Sequence, residues 1–189
     1  WNPIAPGLRP DAAKMSEAQD YSRFNGVTSE PRTAHAPLEQ DTIRRFVQAV
    51  MDDDPLYYDQ AYAGTTRYGG VVAPPLFPVH AFRRPPGSPD PLDALKEDRD
   101  ADGSGGVGGV AVGLPAIDSP YKRLLNGGNE IEFFRCLRVG ETAVSTSKYH
   151  DVSLKEGKSG KLLVVVIETE VRTQEGDLLL INRQSLIWR

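Results

Sequence analysis

The chain of 189 residues contains one cysteine, Cys136, which excludes an intrachain disulfide and any cysteine-built metal cluster. It has only three histidines, His35, His80 and His150, far apart and without metal-ligand spacing, so no metal and no cofactor is expected. It lacks a basic excess: 22 Lys and Arg stand against 26 Asp and Glu, a net charge of −4, which argues against a nucleic-acid partner. A local cluster of cations for a small anion is still allowed. The longest apolar run, Leu162 to Ile167, is far too short for a membrane helix, and no secretory signal is visible. With no cysteine pairs to suggest an oxidising compartment, a cytoplasmic location is expected. There is no G-x-S-x-G elbow. A literal G-x-G-x-x-G runs from Gly103 through Gly105 to Gly108, but it follows a charged stretch and opens no helix, so it reads as a flexible loop.

What is present fits one globular domain, with 39% hydrophobic and 25% charged residues. Residues 1–20 read as an irregular arm, and 22–31 as holding a short strand that ends at Pro31. Ile43, Phe46, Val47, Val50 and Met51 form one apolar stripe at helical spacing, so the pattern predicts a helix over 41–51 with Asp41 as N-cap. Pro55 stops it, which leaves Asp52, Asp53 and Asp54 at its end, where negative charge opposes the helix dipole. "YGGVVAPPLFPVHAFRR" (68–84) reads as a buried turn of helix entered through glycines. The Pro- and Gly-rich stretch from about 84 to 118 reads as a long flexible insertion with one short helix at 91–98, capped by Asp90. The last seventy residues read as an antiparallel meander, with two long strands around a turn at Gln174–Gly176. The Leu162–Ile167 run suits a strand covered on both faces. The expected class is α+β, a curved sheet wrapped around one helix.

Four blocks, "DDDPLYYDQAYA", "RYGGVVAPPLF", "LNGGNEIEFFRCLRVGETA" and "KEGKSGKLLVVVIETEVRTQEGDLLLINRQSLI", occur in the order found in MaoC-like dehydratases. The chain resembles that family over residues 21–189 outside the insertion, and most of all its N-terminal-type branch. The resemblance implies a hot-dog fold, an antiparallel sheet around a central helix. It also implies hydration of an enoyl thioester of coenzyme A or of acyl carrier protein, or the reverse dehydration. Active members carry D-x-N-P-L-H-x-D, whose Asp and His activate a water. Here the Asp falls on Asp52, the Asn on Asp54, the second acid on Asp59 and the His on Tyr57. A phenol, with a pKa of about 10 against about 6.5 for imidazole, is a poor base at neutral pH. The family also offers a backbone N–H at the start of the central helix to the thioester oxygen. The matching residues here are Ala73, Pro74 and Pro75, and proline has no N–H.

Members of the family work as pairs of hot-dog domains in which one half has often lost its catalytic pair. The resemblance therefore implies a non-catalytic subunit that shapes the acyl pocket and needs a partner with an intact D-x-N-P-x-H. Two alternatives stay open: a self-sufficient homodimer that uses Asp52 and Tyr57, or an acyl-thioester-binding protein without turnover. A further reading makes the acidic turn a hydrogen-bonded corner. Gly70, Ala73 and Leu76 are the substrate-contacting candidates of the second block. Asn126, Gly127, Gly128 and Asn129 either present polar groups to the thioester tail or form a turn entering a strand. Arg83, Arg84, Lys122 and Arg123 are candidates for coenzyme phosphates, or solvated surface bases.

Overall fold

A computed structural model describes residues 20–82, 87, 93–97, 112–121, 123–157 and 160–189. The expected N-terminal arm (except Asp20), the glycine run, Asp90, Arg83, Arg84, Lys122 and most of the insertion lie outside the described residues. Five strands, β1 (Arg32–Thr33), β2 (Leu124–Phe133), β3 (Ala143–Gly157), β4 (Gly160–Thr173) and β5 (Leu178–Trp188), form one sheet in the order β1-β3-β4-β5-β2. Every pairing is antiparallel. β3, β4 and β5 are a meander of long hairpins, and β2 returns to the outer side of β5. The helices are α1 (Gln40–Val50), α2 (Gln60–Thr65), α3 (Phe77–His80) and α4 (Ala94–Glu97).

α1 forms because Ile43 and Val47, one turn apart, bury completely or nearly so against the sheet. Each such burial contributes about 1.5–3 kcal/mol. Asp41 is not the N-cap: that position is Glu39, without a side-chain cap, and Asp41 instead sits in the first turn and pairs with Arg44 and Arg45. The expected strand at 22–31 is a 3-10 turn at Ser22–Phe24 and a single bridge from Thr28 to Lys148; the paired strand starts after Pro31. Proline cannot donate to a ladder, so pairing resumes beyond it. The one expected central helix is divided: α1 and the single turn α3 share the concave side of the sheet.

The concave face carries two apolar clusters. One joins Ile43, Val47, Ala73 and Phe77 to Ala143, Val171, Leu179 and Leu180. The other joins Tyr21, Leu114, Tyr149, Leu163, Val165, Ile167 and Leu186. A polar row crosses the sheet between them. Ser147 and Thr169 share a hydrogen bond of 2.8 Å, and Asn182 stands opposite Thr169 on one side and Ile131 on the other. The buried Oδ1 of Asn182 has no hydrogen-bond partner among the described residues. In the run 162–167, Leu163, Val165 and Ile167 are buried while Leu162, Val164 and Val166 are half-buried, so only one face of β4 is fully covered, not both. No helix of the described residues is long and apolar enough to cross a membrane.

Candidate functional site

α1 ends in a left-handed residue, Met51 (φ 57°). The Met51 N–H donates to the Gln48 carbonyl and the Asp52 N–H to the Val47 carbonyl, which is the closure usually made with glycine. This turn starts the acidic segment, and the carboxylates there already hold backbone. Asp52 Oδ1 accepts from the Asp54 N–H at 3.2 Å. Asp54 Oδ1 accepts from the Leu56 N–H at 2.9 Å and caps the 3-10 turn Pro55–Tyr57. Asp59 Oδ1 accepts from the N–H groups of Ala61 and Tyr62 and caps α2. The geometry is that of a hydrogen-bonded corner, in which each acid shapes the next turn.

Tyr57 sits within this corner, half-buried against the first apolar cluster together with Leu56 and Ile131. Burial, then the charges of Asp52 and Asp54, push its phenol up to about 12. It is therefore a proton donor held protonated, the reverse of a general base. The neighbouring Tyr58 donates its hydroxyl to the Asp53 carbonyl at 3.1 Å. Sequence reasoning missed the neighbours of Tyr57 from distant segments. Arg67 donates to the Tyr68 hydroxyl at 2.7 Å, and Tyr68 lies near Cys136, whose thiol is pushed up by burial. These residues come together because Val72 bridges Arg138 and the Ala73 N–H donates to the Leu137 carbonyl at 2.9 Å.

That last bond also uses the N–H of Ala73, which is fully buried, and Pro74 and Pro75 have none to offer. Leu76 is exposed and Gly70 half-buried. Asn126–Asn129 do not form a turn entering a strand; they lie inside β2 as a bulge between Asn126 and Gly128. A Cβ at Gly127 would lie 3.1 Å from Ser185, and Gly128 has φ +112°, so both positions suit glycine. The bulge leaves Asn126 opposite Leu186 and Asn129 opposite Gln184, both on the concave face. The structure thus brings Asp52 and Tyr57 into one turn and sets Asn126 and Asn129 on the edge strand. No hydrogen bond or ion pair joins the two groups among the described residues.

His35 and His80, 45 positions apart, line one cavity of about 500 Å³ with Phe46, Phe77 and Leu137. The separation in sequence hid this. No group of three or more metal-ligating side chains occurs among the described residues. A smaller cavity of about 320 Å³ opens beside Tyr57, lined also by Gln40, Asp41, Arg44 and Tyr58.

A half-wrapped antiparallel sheet with a short helical layer, and a D-x-D-P turn beside it, define a hot-dog protein of the MaoC-like dehydratase type. The chain belongs to the FAS1-like, dehydratase domain region family, whose model matches residues 23–181. A UPF0336 protein of Thermobifida fusca is 24% identical over 147 residues, 78% of this chain and 80% of that one. The 3-oxo-4,17-pregnadiene-20-carboxyl-CoA hydratase alpha subunit of Mycobacterium tuberculosis is 43% identical over 47 residues, 25% of this chain and 15% of that one. Among solved structures, the ChsH1-ChsH2 complex of M. tuberculosis contains a chain with the same fold, at a TM-score of 0.62 and 18% identity, covering 85% of this chain and 83% of that one.

Proposed function

We propose that this chain is the non-catalytic subunit of a hot-dog enoyl-thioester hydratase or 3-hydroxyacyl-thioester dehydratase, shaping the acyl pocket for a partner that supplies Asp and His. The observation that carries this reading is the state of the base position. Tyr57 holds its proton up to about pH 12, and the carboxylates of Asp52, Asp54 and Asp59 are already tied to backbone amides. A base that takes a proton from water near neutral pH is absent from this corner. The start of α3 supports the same reading, because the Ala73 N–H is engaged and the two prolines have none.

The partner fits an open edge. β2 is the outermost strand, ten residues long, with Leu125, Phe133 and the adjoining Phe134 exposed. Long uncovered edges with apolar side chains are surfaces that proteins normally pair. A second hot-dog chain with an intact D-x-N-P-x-H, seated there, completes the site. The local resemblance, over 47 residues, to the alpha subunit of a hydratase supports the same reading.

The test is hydration of crotonyl-coenzyme A, followed at the enoyl absorbance, by the chain alone and after mixing with the candidate catalytic subunit. The expected result is turnover only in the mixture. Robust turnover by the pure chain would overturn the reading.

A further inference from the structure

The outer, convex side of the sheet carries an ordered pattern of charge. Residues directly opposite in a ladder share a face. On this face Lys148, Glu168, Arg183 and Glu130 stand opposite one another in turn, from β3 through β4 and β5 to β2, and their signs alternate. Glu168 holds both Lys148 and Arg183 at 2.7 Å, and Arg183 also reaches Glu132 at 2.6 Å. His150 stands 3.7 Å from Glu168. Beside the charges lie aliphatic side chains: Val166 is opposite Ser185, and Val164 is opposite Ile187. Val164, Val166 and Ile187 are half-buried and belong to neither apolar cluster of the concave side.

We propose that this outer face is the contact between two copies of the chain, packed sheet on sheet with their strands aligned. A row of alternating charges is complementary to its own reverse. A two-fold axis along the strands, between β4 and β5, makes that reversal. Lys148 of one copy then faces the second copy's Glu130, and Glu168 faces the second copy's Arg183. The same operation sets Val164 over Ile187 and Val166 over Ser185. Each pairing occurs twice, as an isologous interface requires. Any other partner needs both patterns in register, and a second copy already has them. Aligned sheets pack about 10 Å apart, within reach of Lys, Arg and Glu side chains extended from both. Two bowed faces touch over their middle rows, and residues 164–168 are the middle of β4. The contact leaves the β2 edge free for a catalytic subunit, and it stands whether or not the hydratase reading does.

Sedimentation velocity on the purified chain, over a range of concentrations, is the test. The wild type is expected to pass from monomer to dimer as concentration rises. Glu168→Arg and Arg183→Glu each set like charges against one another across the axis, and each should weaken association at least about tenfold. An equimolar mixture of the two variants should regain the wild-type affinity, because the new arginine of one copy then faces the new glutamate of the other. That recovery also reports that both variants are folded. Val164→Lys reads the aliphatic row independently of the charged one and should weaken association by a similar factor. A wild-type chain that stays monomeric at every concentration would overturn the proposal. So would a dimer that Val164→Lys leaves unchanged, since that dimer forms elsewhere, at the β2 edge for instance. A mixture no better than its components, with melting curves showing both folded, would overturn it as well.

Discussion

The amide of Asp52 donates to the carbonyl of Val47 at 2.9 Å, and this bond turns the chain from α1 into the acidic corner. It requires a left-handed residue between them, and that residue is Met51, whose side chain is 90% exposed. A side chain with a Cβ pays about 1 kcal/mol there relative to glycine. Met51→Gly should therefore stabilise the protein by about 1 kcal/mol, since almost no packing is lost. Urea unfolding reads this as a higher midpoint with an unchanged slope. An unchanged or lower midpoint would mean that the left-handed turn is not strained at Met51.

Two phenols, Tyr57 and Tyr149, are pushed up to about 12, in both cases first by burial. In the unfolded chain a tyrosine ionises near 10. Between these values the folded state holds protons that the unfolded state has lost, so stability falls as pH rises. The contribution is complete below about pH 10 and disappears through about pH 12. Tyr149→Phe should flatten part of that fall. It should also cost about 1 kcal/mol at neutral pH, because the Tyr149 hydroxyl donates to the Pro115 carbonyl at 2.7 Å. Tyr57→Phe should flatten another part of it. Denaturant midpoints measured from pH 8 to 12 check both variants; the same alkaline slope in wild type and variants would refute the assignment.

Restoring the missing chemistry needs two changes. Tyr57→His supplies a base, worth roughly 10²–10⁴ in rate. Pro75→Gly supplies an N–H at the start of α3, worth roughly 10²–10³. The double variant should hydrate crotonyl-coenzyme A measurably in the absence of a partner, with either single variant at least about a hundredfold slower. Pro75 is exposed, so its replacement should cost the fold little. A double variant as inert as the wild type would show that losses elsewhere in the corner, Asp54 in place of the family's Asn among them, also block the reaction.

The residues that announce themselves in sequence are those whose pattern is local. The stripe Ile43, Phe46, Val47 marked α1 to within a residue, and the turn at Gln174–Gly176 was visible from its glycine. β3 was harder to read because its buried face carries Ser145 and Ser147, polar residues that break the apparent alternation although their burial alternates perfectly. The capping roles of Asp54 and Asp59 lay in their spacing to the next turn, but the family motif drew attention to their charge instead. Three features depend on pairing between distant segments and have no local signal: the row of charges from Lys148 to Glu130, the nearness of Tyr68 to Cys136 beside Tyr57, and the cavity shared by His35 and His80.

The two glycines of β2 make a sharper distinction than substitution alone would suggest. In the bulge, Asn126 pairs with Leu186 and Gly128 with Ser185, so Gly127 is the residue left without a partner. Gly127→Ala would put a methyl 3.1 Å from both the Cβ and the carbonyl oxygen of Ser185 and 3.3 Å from Ile187. The backbone there cannot yield without loosening β2 from β5, so a loss of about 1–3 kcal/mol is expected. Deletion of one residue normally turns half a strand inside out. Here it removes the unpaired residue and leaves Asn126 and Asn129 on the concave face, each with its present neighbour. The Gly127 deletion should therefore be better tolerated than Gly127→Ala, with amide exchange from Asn129 to Phe133 close to that of the wild type. Faster exchange in the deletion than in Gly127→Ala would mean that the bulge itself, through the twist it adds, holds the edge strand in place.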